Sequence, residues 1–377
     1  MSHWSSFLSW GKLLSVTVAL AACKDSPRKN ESSVSVSATE PAILDSYTSK
    51  SVAVHGKTVS LPNELQSPRD IVVSGGVLWV LENVGMTKTV HALSPAGTIE
   101  RTLRPSDTTL LEGAWTLAPP RKSENGVWVF DAEKRRMLLI APDSSNIRQL
   151  RVQREIRLQD SVFLTNPKWR DQSTLVTPGF FPSGRVAQFD STGRLIHILG
   201  ATPGKATAFP PEIIQHAYQS TLAPRPSDSR FVLATRYADQ IEIFSKDSER
   251  PTLGQRPFRF DPYVTVSKTR SGRPFANLGR ARFGYVDVVA DDQRILGLFS
   301  GKLSQRFHGR ENYGRYIHVF DWSGNLRRVV QLDEDAIALA LNASARKVYA
   351  LGGPPDPTIR EYSLIDVVGS GIKNRAK

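Results

Sequence analysis

Apolar residues along this chain come in short runs broken by Gly, Pro, Asn, Asp and Ser, and no long stretch repeats them at helical spacing. The clearest stretch covers residues 283–332. Four β-rich runs, 285–289, 294–301, 316–324 and 326–332, are separated by the Asp291-Asp292 turn, a long polar loop and the Ser323-Gly324 turn. Four consecutive antiparallel strands make one sheet, and weaker copies of this unit recur along the chain. Inner strands are expected to start near residues 71, 115, 162, 220, 286 and 337, with spacings of 44 to 66 residues. A four-stranded propeller blade takes about 40–50 residues, so the wider gaps predict insertions.

The physical reason for a ring is that each sheet buries both faces only when wedged between neighbours. The pattern therefore predicts an all-β fold, a six-bladed propeller of four-stranded antiparallel blades over residues 51–366. The sixth unit shows only three strands, and the segment 51–61, with its His55-Gly56-Lys57 turn, is expected to supply the fourth and close the ring. Seven blades remain open if residues 254–282 form part of another one. Two separate β-sandwiches are the plainer alternative.

The N-terminus changes the picture by giving an address. Residues 1–22 contain no acid and one lysine, Lys12, followed by an apolar run of about ten residues that ends at Cys23. That run is too short to span a bilayer, which takes about 20 residues. It predicts a signal peptide over 1–22, then a Ser-, Thr-, Glu- and Pro-rich tether over 23–50 too poor in apolar side chains to order itself. Residues 367–377 form a tail. Leu20-Ala21-Ala22-Cys23 resembles the lipobox of bacterial lipoproteins, which implies diacylglycerol on the Cys23 thiol and membrane attachment there. Cys23 is the only cysteine, so lipidation leaves no free thiol in an oxidising compartment. Lys24 after the cysteine resembles the enterobacterial sorting pattern for the outer membrane.

A second resemblance sits in the template unit. Gly284-Tyr285-Val286-Asp287, Leu298-Phe299-Ser300-Gly301 and the run 317–321 with Gly324 resemble the signature of TolB-like six-bladed propeller lipoproteins of bacterial envelopes. The resemblance covers residues 68–364 in plan and this unit in detail. It implies a lipid-anchored propeller facing the periplasm. The family has no defined molecular activity, so no catalytic residue comes with it.

Candidate chemistry narrows the reading. No G-x-S-x-G elbow, Walker loop or G-x-G-x-x-G fingerprint occurs, and the seven histidines show no metal-binding spacing. A lactonase-type propeller, a small-molecule hydrolase with a cation in its central channel, is the alternative function. Its oxygen ligands for Ca2+ would be Asp70, Glu82, Asn166 and Asp287, and all four would have to converge. Without that convergence no cofactor is expected.

The formal charge of +13 is unevenly spread. Between Arg256 and Arg282 seven basic residues face one acid, Asp261, with Phe258, Phe260, Tyr263 and Phe275 interleaved. Lys302, Arg306, His308, Arg310 and Arg315 fill the loop inside the template unit. Arg270, Arg273, Arg306 and Arg310, with Tyr285 and Asp287 on the adjoining strand, are therefore the candidate ligand-binding residues. For an exported lipoprotein the fitting partner is an anionic envelope component or an envelope protein, and nucleic acid is not one. The bland alternative is a solvated basic surface. The leading expectation is a lipid-anchored envelope module for binding or scaffolding.

Overall fold

The computed structural model describes residues 50–369, apart from 63–64, 85–86, 104–110, 160–161, 182–183, 202–208, 247–249, 273 and 307–308. The expected signal peptide and tether up to residue 49, Cys23 among them, and most of the expected C-terminal tail lie outside the described residues.

Two short strands, β1 (Val52–Ala53) and β2 (Lys57–Val59), precede the blades. Blade 1 is β3 (Pro68–Ser74), β4 (Val77–Val84), β5 (Thr87–Leu93) and β6 (Ile99–Leu103); blade 2 is β7 (Ala114–Ala118), β8 (Val127–Asp131), β9 (Arg136–Pro142) and β10 (Leu150–Arg157). Blade 3 is β11 (Lys168–Trp169), β12 (Thr174–Pro178), β13 (Val186–Asp190) and β14 (Leu195–Leu199). Helix α1 (Pro211–Ala217) leads from it to blade 4, made of β15 (Ser220–Pro224), β16 (Phe231–Thr235), β17 (Ile241–Phe244) and β18 (Thr252–Leu253). A separate hairpin, β19 (Thr265–Lys268) and β20 (Pro274–Asn277), comes before blade 5, whose strands are β21 (Tyr285–Ala290), β22 (Arg294–Phe299), β23 (Gly314–Asp321) and β24 (Leu326–Ala336). Blade 6 is β25 (Ala338–Asn342), β26 (Lys347–Leu351) and β27 (Ile359–Ser363), completed by β2 and followed by α2 (Leu364–Val368).

The ring has six blades, and residues 254–282 build a hairpin outside them rather than part of a seventh. The N-terminal segment divides its two strands between neighbouring blades. β2 pairs antiparallel with β27, Lys57 opposite Glu361, while β1 pairs parallel with β24, Val52 opposite Val330, as a fifth strand on blade 5. Blade 3 starts later than its apolar pattern suggests. Its inner strand is Lys168–Trp169, not residues 162–164, because Pro167 has no N–H to donate and the strand begins after it; Leu164 bridges Gly179 instead.

The core is divided among the blade junctions. Separate clusters of buried side chains fill each one, for example Val232, Ile243, Tyr285, Ile295 and Phe299 between blades 4 and 5, and Val59, Ile71, Leu78, Tyr349 and Ile359 between blades 6 and 1. Buried middle strands read as unbroken apolar runs, as in β8 and β16, because both faces meet a neighbouring blade. Outer strands alternate or turn polar, and β10 carries Arg151, Arg154 and Arg157 along an edge that these charges keep from pairing further.

Turns between the last two strands reuse one device. In Asp190-Ser191-Thr192-Gly193 the Asp190 Oδ1 accepts the N–H groups of Thr192 (2.8 Å) and Arg194 (3.1 Å). Asp321 does the same for Ser323 (2.9 Å) and Asn325 (3.0 Å). Gly193 closes its turn at φ 88°, and a Cβ there would lie 2.0 Å from the carbonyl oxygen of Arg157 in blade 2, so glycine also sets how closely the blades approach.

In an antiparallel meander the second-to-third and fourth-to-first connections leave from the same end of every blade. α1, the β19–β20 hairpin and the 300–313 loop are all connections of these kinds. The long insertions therefore share one end of the ring, the end at which the inner strands begin.

Candidate functional site

At that end the inner strands carry a polar belt. Asp70 and Asp287 follow a bulge at matching positions, opposite Leu81 and Leu298, and Thr116 holds the same position in blade 2, opposite Phe130. Asp70 Oδ1 accepts the N–H of Ile71 at 2.8 Å, and Oδ2 accepts that of Leu117 in the next blade at 2.7 Å. Asp287 repeats the arrangement, accepting from Val288 and from Leu339 of the next blade, both at 2.8 Å. Each carboxylate thus joins two inner strands.

Blades 2 to 5 are linked in the same layer. Lys168 Nζ donates to the carbonyl of Leu117, Asn166 Nδ2 to Thr221 Oγ1 at 2.8 Å, and Thr221 Oγ1 to Asp287 Oδ1 at 3.3 Å. All six blades contribute a group. Enclosure raises the Asp70 carboxyl, while the Lys168 charge and the two amide donors pull it back. Enclosure also raises Asp287, repulsion from Asp70 adds to it, and the result is about 7.

Glu82 does not join the belt. It sits on the second strand, 3% exposed, where Oε1 accepts the N–H groups of Gln66 (2.5 Å) and Ser67 (3.0 Å) and Oε2 meets His91 Nε2 at 3.0 Å. Of the four oxygen ligands considered for Ca2+, Asp70, Asn166 and Asp287 therefore share the channel and Glu82 is held inside its blade. Ca2+ takes six to eight oxygens. Here the Lys168 ammonium stands among the acidic groups, and among the described residues no three His, Cys, Asp or Glu side chains gather as metal ligands. The residues present do not fit a bound metal.

Tyr285 is a core residue, not a ligand contact. It is 1% exposed, its hydroxyl meets His318 Nδ1 at 3.0 Å, and its ring packs edge-on against Phe299. Burial lowers His318 to about 3, so its imidazole is neutral.

The basic clusters divide into structural and surface members. Arg256 pairs with Asp239 (3.0 Å) and Asp261 (2.8 Å), Lys302 and Arg315 share Asp335 (2.5 and 3.5 Å), and Arg282 donates to the carbonyl of Gly301 at 2.6 Å. Lys268 and Arg270 are exposed at the far end of the hairpin, Arg280 is exposed just after it, and Arg306 and Arg310 are exposed in the 300–313 loop. Arg273 lies outside the described residues. The insertion is anchored by Asp239, fully buried, which accepts the N–H groups of Phe258 (2.7 Å), Arg259 (2.7 Å) and Phe260 (3.1 Å). Arg259 adopts φ 55° to bring these donors round one carboxylate.

Sequence reasoning missed Lys168, Thr116, Thr221 and Asp239. The spacing of Lys168, two residues after Asn166 and so on the same side of an extended chain, is the signal that identifies it. Spaces open elsewhere among the described residues. A cavity of about 10 Å3 beneath α1, lined by Arg185, Gln215, Tyr218 and Ser220, has room for about one water. An open groove of about 360 Å3 on the outer rim is lined by residues 52–55, Arg328 and Asp366.

No curated protein sequence matches this chain. Among solved structures it is similar to the WD40 repeats of RRP9, at 8% identity and a TM-score of 0.47 over 81% of this chain and 96% of that one. It is also similar to the Myceliophteria thermophila Cps50 (Swd1) β-propeller domain, at 10% identity and a TM-score of 0.43 over 81% of this chain and 98% of that one. The family described as TolB-like 6-blade propeller-like matches residues 121–342, more than half of the chain. With six four-stranded blades in a ring, the chain belongs to the TolB-like six-bladed propeller family.

Proposed function

We propose that this protein is a lipid-anchored binding module of the bacterial envelope, held to the membrane through Cys23 and presenting its ligand face at the insertion-bearing end of the ring. The observation that carries the reading is the gathering of α1, the hairpin and the 300–313 loop at one end, with Lys268, Arg270, Arg280, Arg306 and Arg310 exposed on them. Propellers carry their binding residues on such connections because the blades beneath hold them rigidly. The exposed charges on these insertions are mostly basic, and the exposed Asp261 is already paired with Arg256, so the partner is an anionic envelope component or an acidic protein surface.

The address rests on Leu20-Ala21-Ala22-Cys23 and the apolar run before it. Among the described residues no helix is long and apolar enough to cross a membrane. With Lys24 after the cysteine, the outer membrane facing the periplasm is the proposed location. The lactonase-type reading has no support from the channel, where Glu82 is withdrawn and Lys168 intrudes.

Affinity capture of the anchored protein from envelope membranes tests the binding reading. Substituting Gln for Arg270, Arg273, Arg306 and Arg310 together is expected to abolish partner recovery, as is raised salt. Unchanged recovery would remove the electrostatic basis of the proposal.

A further inference from the structure

The channel belt is built by the inner strands rather than by the basic insertions, and its charges need an account of their own. Two carboxylates enclosed at one layer of a protein ring ordinarily require a cation, since each unpaired charge there is costly. In oxygen-lined channels a hard metal ion meets that need. Here the only ammonium in the belt among the described residues is that of Lys168. It bonds to the carbonyl of Leu117, the same residue whose N–H goes to Asp70 Oδ2, and from blade 3 its charge acts on both Asp70 and Asp287.

We propose that Lys168 is the built-in counter-ion of the channel, a tethered ammonium standing where a bound cation would otherwise hold Asp70 and Asp287, so that the belt locks the six inner strands without a metal. The contacts run in chain order from Asp70 through Leu117 and Lys168, then from Asn166 through Thr221 and Asp287 to Leu339. At the sixth blade Ala338 holds the position that Asp287 holds in the fifth, and the final junction is made by strand packing of β25 on β3.

The belt also shows what the lysine displaces. Thr116 Oγ1 and Asn166 Oδ1 are buried oxygens without a hydrogen-bond partner in the protein. Remove the ammonium and the layer holds two carboxylates and three neutral side-chain oxygens, those of Thr116, Asn166 and Thr221. That is the donor set of a hard divalent cation. Lys168 therefore excludes Ca2+ from a ring that would otherwise take it.

Thermal unfolding of the mature full-length protein, with chelator and with added Ca2+, decides the matter. Wild type is expected to keep one Tm under both conditions. Lys168→Gln is expected to unfold several degrees lower, more so at pH 8 than at pH 5, with the loss restored by Ca2+ and a single calcium site seen by calorimetry. Lys168→Arg keeps wild-type behaviour. A wild-type Tm that moves with chelator or Ca2+ overturns the proposal, and so does a Lys168→Gln protein that is fully stable or that Ca2+ does not restore. If Lys168→Gln does not fold, the Lys168→Gln/Asp287→Asn double variant decides: recovery of the fold supports the counter-ion role, and no recovery refutes it.

Discussion

Burial raises the Asp287 carboxyl to about 7 and lowers the His318 imidazole to about 3, and both departures act on stability between roughly pH 4 and 6.5. For Asp287 the folded value lies above the unfolded one. Its contribution is fully present below the ordinary value of 3.8 and is lost as pH rises through about 7. For His318 the folded value is depressed, so the unfolded chain takes up the proton. Its contribution is present above 6.5 and is lost as pH falls toward 3. His216, lowered by burial and by Arg236, acts in the same direction as His318. The two tendencies oppose each other in wild type. Asp287→Asn removes its share of the falling one, Asp70 keeping the rest, so the variant's unfolding free energy is expected to rise with pH from about 4 to 6.5 more steeply than wild type. Denaturant titrations at stepped pH check this, and an unaltered slope would show that Asp287 does not titrate there. Asp70, Asn166 and Asp287 were legible as oxygen-bearing residues near strand ends. Lys168 was hidden because its strand is two residues long and follows a proline. Tyr285 beside a basic loop read as a contact, whereas its partner His318 lies 33 residues away across the sheet.

The blade strands were readable because each buried middle strand is an apolar run with turn residues at both ends. What the pattern could not give was the fate of residues 254–282. Their composition breaks the blade spacing, but the fold of that segment depends on Asp239, a single acid in the β16–β17 turn whose carboxylate gathers three N–H groups and Arg256. No periodicity marks such a residue. Asp239→Ala leaves three N–H donors without an acceptor and Arg256 with Asp261 alone, and orphaning buried donors in this way costs about 1–3 kcal/mol. Hydrogen exchange is expected to quicken first at Phe258, Arg259 and Phe260, while the middle strands β16 and β22 stay protected. Equal loss of protection in both places would mean that the insertion is part of the ring's cooperative unit. The N-terminal segment was legible only as one spare strand. Its division into β1 on blade 5 and β2 on blade 6 follows from parallel pairing with β24, which no local pattern encodes.

At the scale of the molecule, the six junction cores and the polar belt make a rigid ring, and the variable chemistry sits on its insertions. Ring, blade count and the placement of the basic loops between strands followed from spacing. Which basic residues face solvent did not, because Arg256, Arg282, Lys302 and Arg315 find partners far along the chain or across loops. The central claim is that the insertion-bearing end is the face that meets a partner. Photo-crosslinking in intact envelopes tests it most directly, with the crosslinker placed at Arg270 on the hairpin or at Ser227, an exposed turn residue at the opposite end of blade 4. The account predicts a discrete adduct from position 270 that salt suppresses, and none from position 227. Adducts from position 227, with none from position 270, would contradict it.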